Sequence, residues 1–296
     1  MKNNRLISFI LVSFVYIFSI TVGIVIYNSL NFHFAINLLI ADVTATIVVF
    51  IFSLLFKNAS TYDPYWSVQP IVILVGFFII SSKSIVQILP LIVVLIWGIR
   101  LTINWAYTFK NLNHEDWRYR MLKEKTNMFY PIINFLGIHM FPTLVVYLCV
   151  LPLVYLLQYN GEFSLLTIIF SILGLGAVIL QGTADYQMHK FRKSNIGGFI
   201  RTGLWKYSRH PNYLGEIIIW WAMGLLSVCA LKEHVYLLLG ALINTLMFVF
   251  VSIPMAEKNQ AKRKPGFSDY KKQTRMLFLI KKWLHKQFCL CFLFEL

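Results

Sequence analysis

Residues 190–216 read K-F-R-K-S-N-I-G-G-F-I-R-T-G-L-W-K-Y-S-R-H-P-N-Y-L-G-E and form the densest polar stretch of the chain, between two apolar blocks. Arg192, Arg201, Lys206 and Arg209 can bind phosphates, the arginines as bidentate forks. Gly197, Gly198 and Gly203 permit positive φ and close approach to a ligand. Pro211 suits the first turn of a helix. That turn sets Asn212 and Glu216 four apart on one face. Glu216 then lies just inside an apolar span, where an ionisable side chain is a functional candidate. A solvated basic loop with a glycine turn accounts for the cations but not for Asn212 and Glu216.

Three further clusters carry chemistry. Gln181, Asp185 and His189 recur every four residues, with Arg192 seven after Asp185, so all four project from nearly one helix face. Such a stripe can line a cofactor cleft, or be the solvated end of a helix leaving the membrane. Thr61-Tyr62-Asp63-Pro64-Tyr65-Trp66 places an acid before a proline, a plausible helix start. Asp63 reads either as a cap within an aromatic interface belt or as a proton source to a substrate carbonyl. His114-Glu115-Asp116-Trp117-Arg118-Tyr119 follows an apolar block containing Arg100 and Asn104. Its simplest reading is a local ion pair, while Arg100 inside a span needs a partner.

These groups need elements to hold them. Of the 296 residues, 58% are apolar and 13% charged, and the mean hydropathy is +0.67. A soluble domain has about 45–50% apolar and roughly 25% charged residues. The apolar residues come in blocks of about 20, enough to cross a bilayer. The expected class is an all-α polytopic transmembrane bundle of seven to eight spans, near residues 1–27, 34–56, 71–88, 90–109, 132–157, 163–180 (continuing as a polar helix toward Phe191), 213–231 and 235–253. The net charge of +15 is concentrated: 21 of 27 Lys and Arg fall in residues 110–125, 190–209 and the stretch after Pro254. Eight spans put these three blocks and the N-terminus on one face, which the positive-inside rule makes cytoplasmic. Both termini are therefore expected in the cytoplasm, the partner is the lipid bilayer, and no nucleic acid is expected. Residues 1–58 read as N-terminal transmembrane helices, 59–280 as the domain carrying the loops, and 281–296 as an interfacial tail.

Several signatures are missing. Gly174 and Gly176 lack the third glycine and the strand of a dinucleotide fingerprint. No P-loop, H-E-x-x-H or G-x-S-x-G is present. Cys149 and Cys229 sit in spans as small hydrophobes, and Cys289 and Cys291 have no second pair at metal spacing. No disulfide framework or metal is expected. No inverted repeat of the kind transporters carry is visible.

The block GLWKYSRHPNYLGE at 203–216 resembles the bacterial membrane enzymes of the steroid 5-alpha-reductase-like family (domain of unknown function 1295). Further matching pieces keep chain order: Asp63-Pro64-Tyr65-Trp66, Trp97-Gly98-x-Arg100-Leu101-x-x-Asn104, Glu115-Asp116-x-Arg118-Tyr119, Gln181-x-x-x-Asp185, Trp220-Trp221, Ile253-Pro254-x-x-Glu257, and Tyr270 with Thr274. They cover about residues 60–275. The short R-H-P-x-Y-x-G core also occurs in isoprenylcysteine and phospholipid methyltransferases.

The resemblance implies a bundle of about seven helices with NADPH at the cytosolic side, in a bacterial inner membrane. It also implies hydride transfer to the carbon β to a carbonyl in a lipophilic, steroid- or isoprenoid-like enone. It assigns cofactor contacts to Gln181, Asp185, Arg192, Arg201, Tyr207, Asn212, Glu216, Tyr270 and Arg275, with Arg209 as a further cation. It places Asp63 at the acidic position near the substrate carbonyl. The accompanying tyrosine position falls near Trp97, which cannot serve as an acid, so Tyr65, Tyr107 or Tyr119 must substitute. The tail also departs from the family by lacking a proline soon after Thr274. The alternative reading is an S-adenosylmethionine-dependent methyltransferase of membrane lipid or isoprenylcysteine type. A non-enzymatic membrane protein is a third. Asp63, and Asp185 and Arg192 ahead of the loop, favour the reductase.

Overall fold

The computed structural model describes residues 2–194, 198–232 and 234–279. The expected tail at 281–296, Cys289, Cys291 and Gly197 lie outside the described residues. Twelve α-helices follow one another among the described residues: α1 (Arg5–Ser29), α2 (Phe34–Phe56), α3 (Tyr65–Ile80), α4 (Ile85–Thr108), α5 (Trp117–Thr126), α6 (Tyr130–Ile133), α7 (Phe141–Tyr159), α8 (Leu165–Ser194), α9 (Pro211–Leu231), α10 (Leu239–Met247), α11 (Ile253–Arg263) and α12 (Phe267–Gln273). No strand occurs among the described residues. Among the described residues, eight helical stretches are long and apolar enough to cross a membrane. The chain is an integral, multi-pass helical membrane protein. Leucine, isoleucine and phenylalanine side chains such as Ile10, Phe14, Ile51, Ile96, Ile172 and Phe250 face outward, as they must against lipid tails.

Two spans begin earlier than hydropathy alone places them. The third starts at Tyr65 rather than near residue 71, because its polar residues turn inward. The Gln69 amide donates to Asp42 (2.8 Å), and the Ser67 and Thr102 hydroxyls pair at 2.8 Å. The fourth starts at Ile85 rather than Pro90. The Gln87 side chain accepts the Ser84 N–H at 3.2 Å and starts the helix, so Pro90 sits inside it. Asp63 does not cap α3: Pro64 stands at that position and makes no side-chain cap.

The core is formed by α3, α4, α7, α8 and α9 around Trp97, Trp220, Met223 and Leu226, all fully enclosed. α8 and α9 pack closest. A Cβ on Gly215 would stand 2.8 Å from the Ala177 carbonyl oxygen, the small-residue contact that lets membrane helices approach. The α1–α2 pair is fastened to the end of α4 on one side of the bundle. Arg5 donates to the Ala106 carbonyl (2.9 Å), the Ser8 hydroxyl accepts the Leu112 N–H (3.1 Å), and the Phe9 and Phe109 rings meet at 4.9 Å. The connections on that side enclose the cavity described next.

Candidate active site

A cavity of about 860 Å³ opens at that end of the bundle, within the range of pockets that hold cofactor-sized ligands. Its walls come from the turn before α3, the end of α4, the start of α5, the end of α8, the loop into α9, and α11 with α12. Asp63, Asp185, Arg192, Arg209, Asn212 and Tyr270 are on its surface.

Asp63 is held by local structure. Asn58 accepts the Ser60 N–H (2.8 Å) and starts a single 3₁₀ turn, Ala59–Tyr62. That turn is stitched to the start of α5: Ala59 N–H donates to Glu115 (2.9 Å), and the Asp116 N–H donates to the Ser60 hydroxyl (2.9 Å). Asp116 caps α5 through the Arg118 N–H and also pairs with the Arg118 guanidinium at 2.8 Å. This is the local ion pair expected for the cluster, and it has a consequence. The next residue, Tyr119, is aimed back at Asp63, and its hydroxyl donates to Oδ1 at 2.6 Å. The Arg118 guanidinium lies 5.4 Å from the Tyr119 ring centre. Asp63 lines the cavity, with the buried Tyr119 hydroxyl behind it, and a carboxyl held in that way can deliver a proton or a hydrogen bond to a carbonyl oxygen.

The polar stripe of α8 divides. Asp185, His189 and Arg192 reach the cavity, while Gln181 is buried behind it. Arg100, the cation inside α4, finds its partner there. It donates to Asp185 at 2.8 Å and to the Gln181 side-chain oxygen. His189 meets the Asn104 amide oxygen at 2.7 Å and closes the α4–α8 edge.

Glu216 stands apart from the cavity. Its two oxygens accept four N–H groups: Trp66 (3.3 Å) and Trp220 (2.9 Å) on one, Trp97 (2.9 Å) and the Gln181 amide (3.0 Å) on the other. Those donors come from α3, α9, α4 and α8. A carboxylate with four donors has no capacity left for a ligand. Trp97, which occupies the tyrosine position implied by the resemblance, is thus spent on Glu216. Tyr65 is spent too: its hydroxyl donates to Asp42 at 2.6 Å inside the bundle. Tyr107 is exposed beside His189.

The cations divide in the same way. Arg209 borders the cavity but its guanidinium is bound to Glu257 (2.7 Å) and to the carbonyls of Lys271 (3.2 Å) and Thr274. His210 (3.2 Å) and Lys271 (2.8 Å) complete the shell of Glu257. Arg201 donates to the Gly266 carbonyl at 3.0 Å and lies over Phe199. The Arg275 backbone pairs with Ser208 and Arg209, and its side chain borders a smaller neighbouring hollow. Tyr207 ends the short turn Gly203–Lys206 and is half-buried off the cavity. Gly203 has φ +58°, a left-handed conformation that favours glycine, and a Cβ there would have to displace the flexible end of Gln187. Tyr270 borders the cavity, its hydroxyl bonded to the Trp205 carbonyl, and burial pushes its phenol up to about 12.

Sequence reasoning missed Lys264, Gln260 and Phe199, which also line the cavity. Nothing marks Lys264 among the ten cations after Pro254.

The sequence profile of the family described as "Protein of unknown function (DUF1295)" matches residues 49–274. An uncharacterized protein of Schizosaccharomyces pombe is 25% identical over 253 residues, covering 75% of this chain and 73% of the relative. No solved structure matches.

Proposed function

The chain belongs to the DUF1295 family, and from that premise we propose that it is an integral-membrane, NADPH-dependent reductase of a lipophilic enone-like substrate. The observation that carries this reading is the Tyr119–Asp63 contact of 2.6 Å at the wall of a cavity that also holds Asp185, Arg192 and Asn212. Bound NADPH would supply a hydride to the carbon β to the substrate carbonyl. The chain's own part is binding, orientation and the proton. Tyr119 and Asp63 hold a proton toward the carbonyl oxygen, with Arg118 steadying the charge that remains on the pair. Asp185, fixed by Arg100, and Asn212 offer hydrogen bonds to a carboxamide or a ribose, and Arg192 attracts phosphate. Trp105, Phe109 and Trp117 give the cavity an aromatic side suited to an apolar substrate. The basic excess in the loops around the cavity, by the positive-inside rule, supports a cytoplasmic side for them and for both termini.

The test is equilibrium binding of NADPH, NADH and S-adenosylmethionine to detergent-purified protein, with Asn212→Ala and Arg192→Ala as controls. NADPH should bind, and both variants should weaken it. Binding of S-adenosylmethionine without NADPH would replace the reductase by the methyltransferase.

A further inference from the structure

We propose that the α11 wall of the cavity is the subsite for the phosphorylated adenosine end of the cofactor: Lys264 and Arg192 clamp the ribose phosphate, the Gln260 side-chain oxygen accepts from the base or sugar, and Phe199 provides the stacking face. This assignment rests on the nucleotide reading above and adds three residues that it does not use.

Four observations converge on one place. First, Arg192 at the end of α8 and Lys264 just past α11 reach the same cavity from elements far apart in sequence. Neither has an ion-pair partner among the described residues. The carboxylates on that side are already committed, Asp185 to Arg100 and Glu257 to Arg209, His210 and Lys271. Burial, and then the charge of Arg192, hold the Lys264 ammonium below its ordinary range. Two cations that repel each other at a cavity wall whose nearest carboxylates are already paired are arranged for an anion brought by a ligand.

Second, Gln260 lies in the last turn of α11 and Lys264 follows as its C-cap, the Lys264 N–H donating to the Gln260 carbonyl at 2.9 Å, so both come from one helix end at the cavity. Third, the Gln260 side-chain oxygen is buried and has no partner among the described residues, a state that costs free energy unless a donor arrives. Fourth, Phe199 is held as a shelf. The Arg201 guanidinium lies 4.5 Å from its ring centre, and the rings of Tyr270 and Phe267 stand 5.3 and 5.5 Å away. Two cations, one unused acceptor and a braced aromatic face match the phosphate, the donors and the π-face of a phosphorylated adenosine.

A phosphate can also belong to a lipid headgroup, so the test separates the two sources. The full chain in detergent is titrated with NADPH, NADH and 2′,5′-ADP. Competition by nanodisc phosphatidylglycerol is compared with phosphatidylcholine, and melting temperature is followed for every variant. NADPH should bind about tenfold more tightly than NADH, and 2′,5′-ADP should compete with NADPH; one charge-assisted contact is worth about that much. Lys264→Ala should remove about tenfold from NADPH and 2′,5′-ADP while leaving NADH and the melting temperature nearly unchanged, and Lys264→Arg should restore NADPH binding. If both dinucleotides bind and Lys264→Ala weakens them equally or not at all, the subsite is wrong and the reductase reading stands. If neither dinucleotide binds, both fall. If 2′,5′-ADP does not bind and phosphatidylglycerol stabilises the protein in a Lys264-dependent way, the clamp serves a lipid headgroup and the nucleotide assignment is overturned.

Discussion

Asp63 and Glu216 are both carboxyl side chains singled out in the sequence, and the structure treats them in opposite ways. Glu216 is enclosed by three indoles and an amide drawn from four helices, each of its oxygens accepting two N–H groups. Asp63 accepts from the Tyr119 hydroxyl and borders open space. The first arrangement leaves nothing to give a ligand and holds helices together. The second leaves an acid with capacity to spare. An acid inside a span is thus a candidate for function only when its hydrogen-bonding capacity is not already used, and the count of donors decides between the two cases.

The largest effect should come from breaking the Glu216 centre. Glu216→Leu strands four buried N–H donors, and leaving one buried donor unsatisfied costs about 1–3 kcal/mol in water. Membrane interiors return smaller values, on average about 0.6 kcal/mol per interaction, because alternative partners are found. A total loss of about 3–5 kcal/mol is expected, read as a fall in melting temperature in detergent. Glu216→Gln keeps the shape but opposes an N–H₂ to donors on one side, and should lose about 1–3 kcal/mol. A Glu216→Leu variant with unchanged melting and lost cofactor binding would reverse the comparison and restore Glu216 as a ligand.

Asp63 should answer in the other currency. Asp63→Asn and Tyr119→Phe are expected to lower the rate of single-turnover NADPH oxidation by a lipophilic enone by about 10²–10⁴-fold, the usual worth of a positioned acid. The melting temperature should move little. Because the two groups act as a unit, the double variant should be scarcely slower than either single one. Rates that multiply in the double variant would show that they do not share one proton. Next in size, Arg100→Met removes the partner of Asp185 and Gln181, linking the two regions. It should cost about 1–3 kcal/mol of stability and also weaken NADPH, measured by melting and by titration. A loss of one without the other would show the link to be mechanically idle.

Much of this was legible in the sequence because bilayers impose coarse rules. Eight apolar blocks of spanning length predict eight spans, and eight are found among the described residues. The start of α3 was hidden because Ser67 and Gln69 read as polar, and only their inward partners Thr102 and Asp42 make them part of a span. The cavity residues Asp63, Asp185, Arg192 and Asn212 stood out as charges or amides next to apolar blocks. The fate of Glu216 did not, since Trp66, Trp97 and Trp220 are separated by up to about 150 residues and only packing brings them together. Lys264 and Gln260 were invisible for a related reason: they line the cavity only through packing, and nothing in a basic, polar helix end records what it faces.

The smallest expected effect makes the sharpest distinction, because it compares one chemical contact in two settings. The Tyr65 hydroxyl donates to Asp42 at 2.6 Å, the same length as the Tyr119 contact with Asp63. Asp42 also accepts from Gln69 and is enclosed away from the cavity. If a short tyrosine–carboxyl contact were sufficient for chemistry, the two pairs would be equivalent. If access decides, Tyr65→Phe should leave single-turnover oxidation within about twofold and cost about 1 kcal/mol of stability. Tyr119→Phe should do the reverse. The pair of variants is read by the same melting and single-turnover measurements. A Tyr65→Phe protein that melts normally but no longer turns over would move the proton source from Asp63 to Asp42, deeper in the bundle.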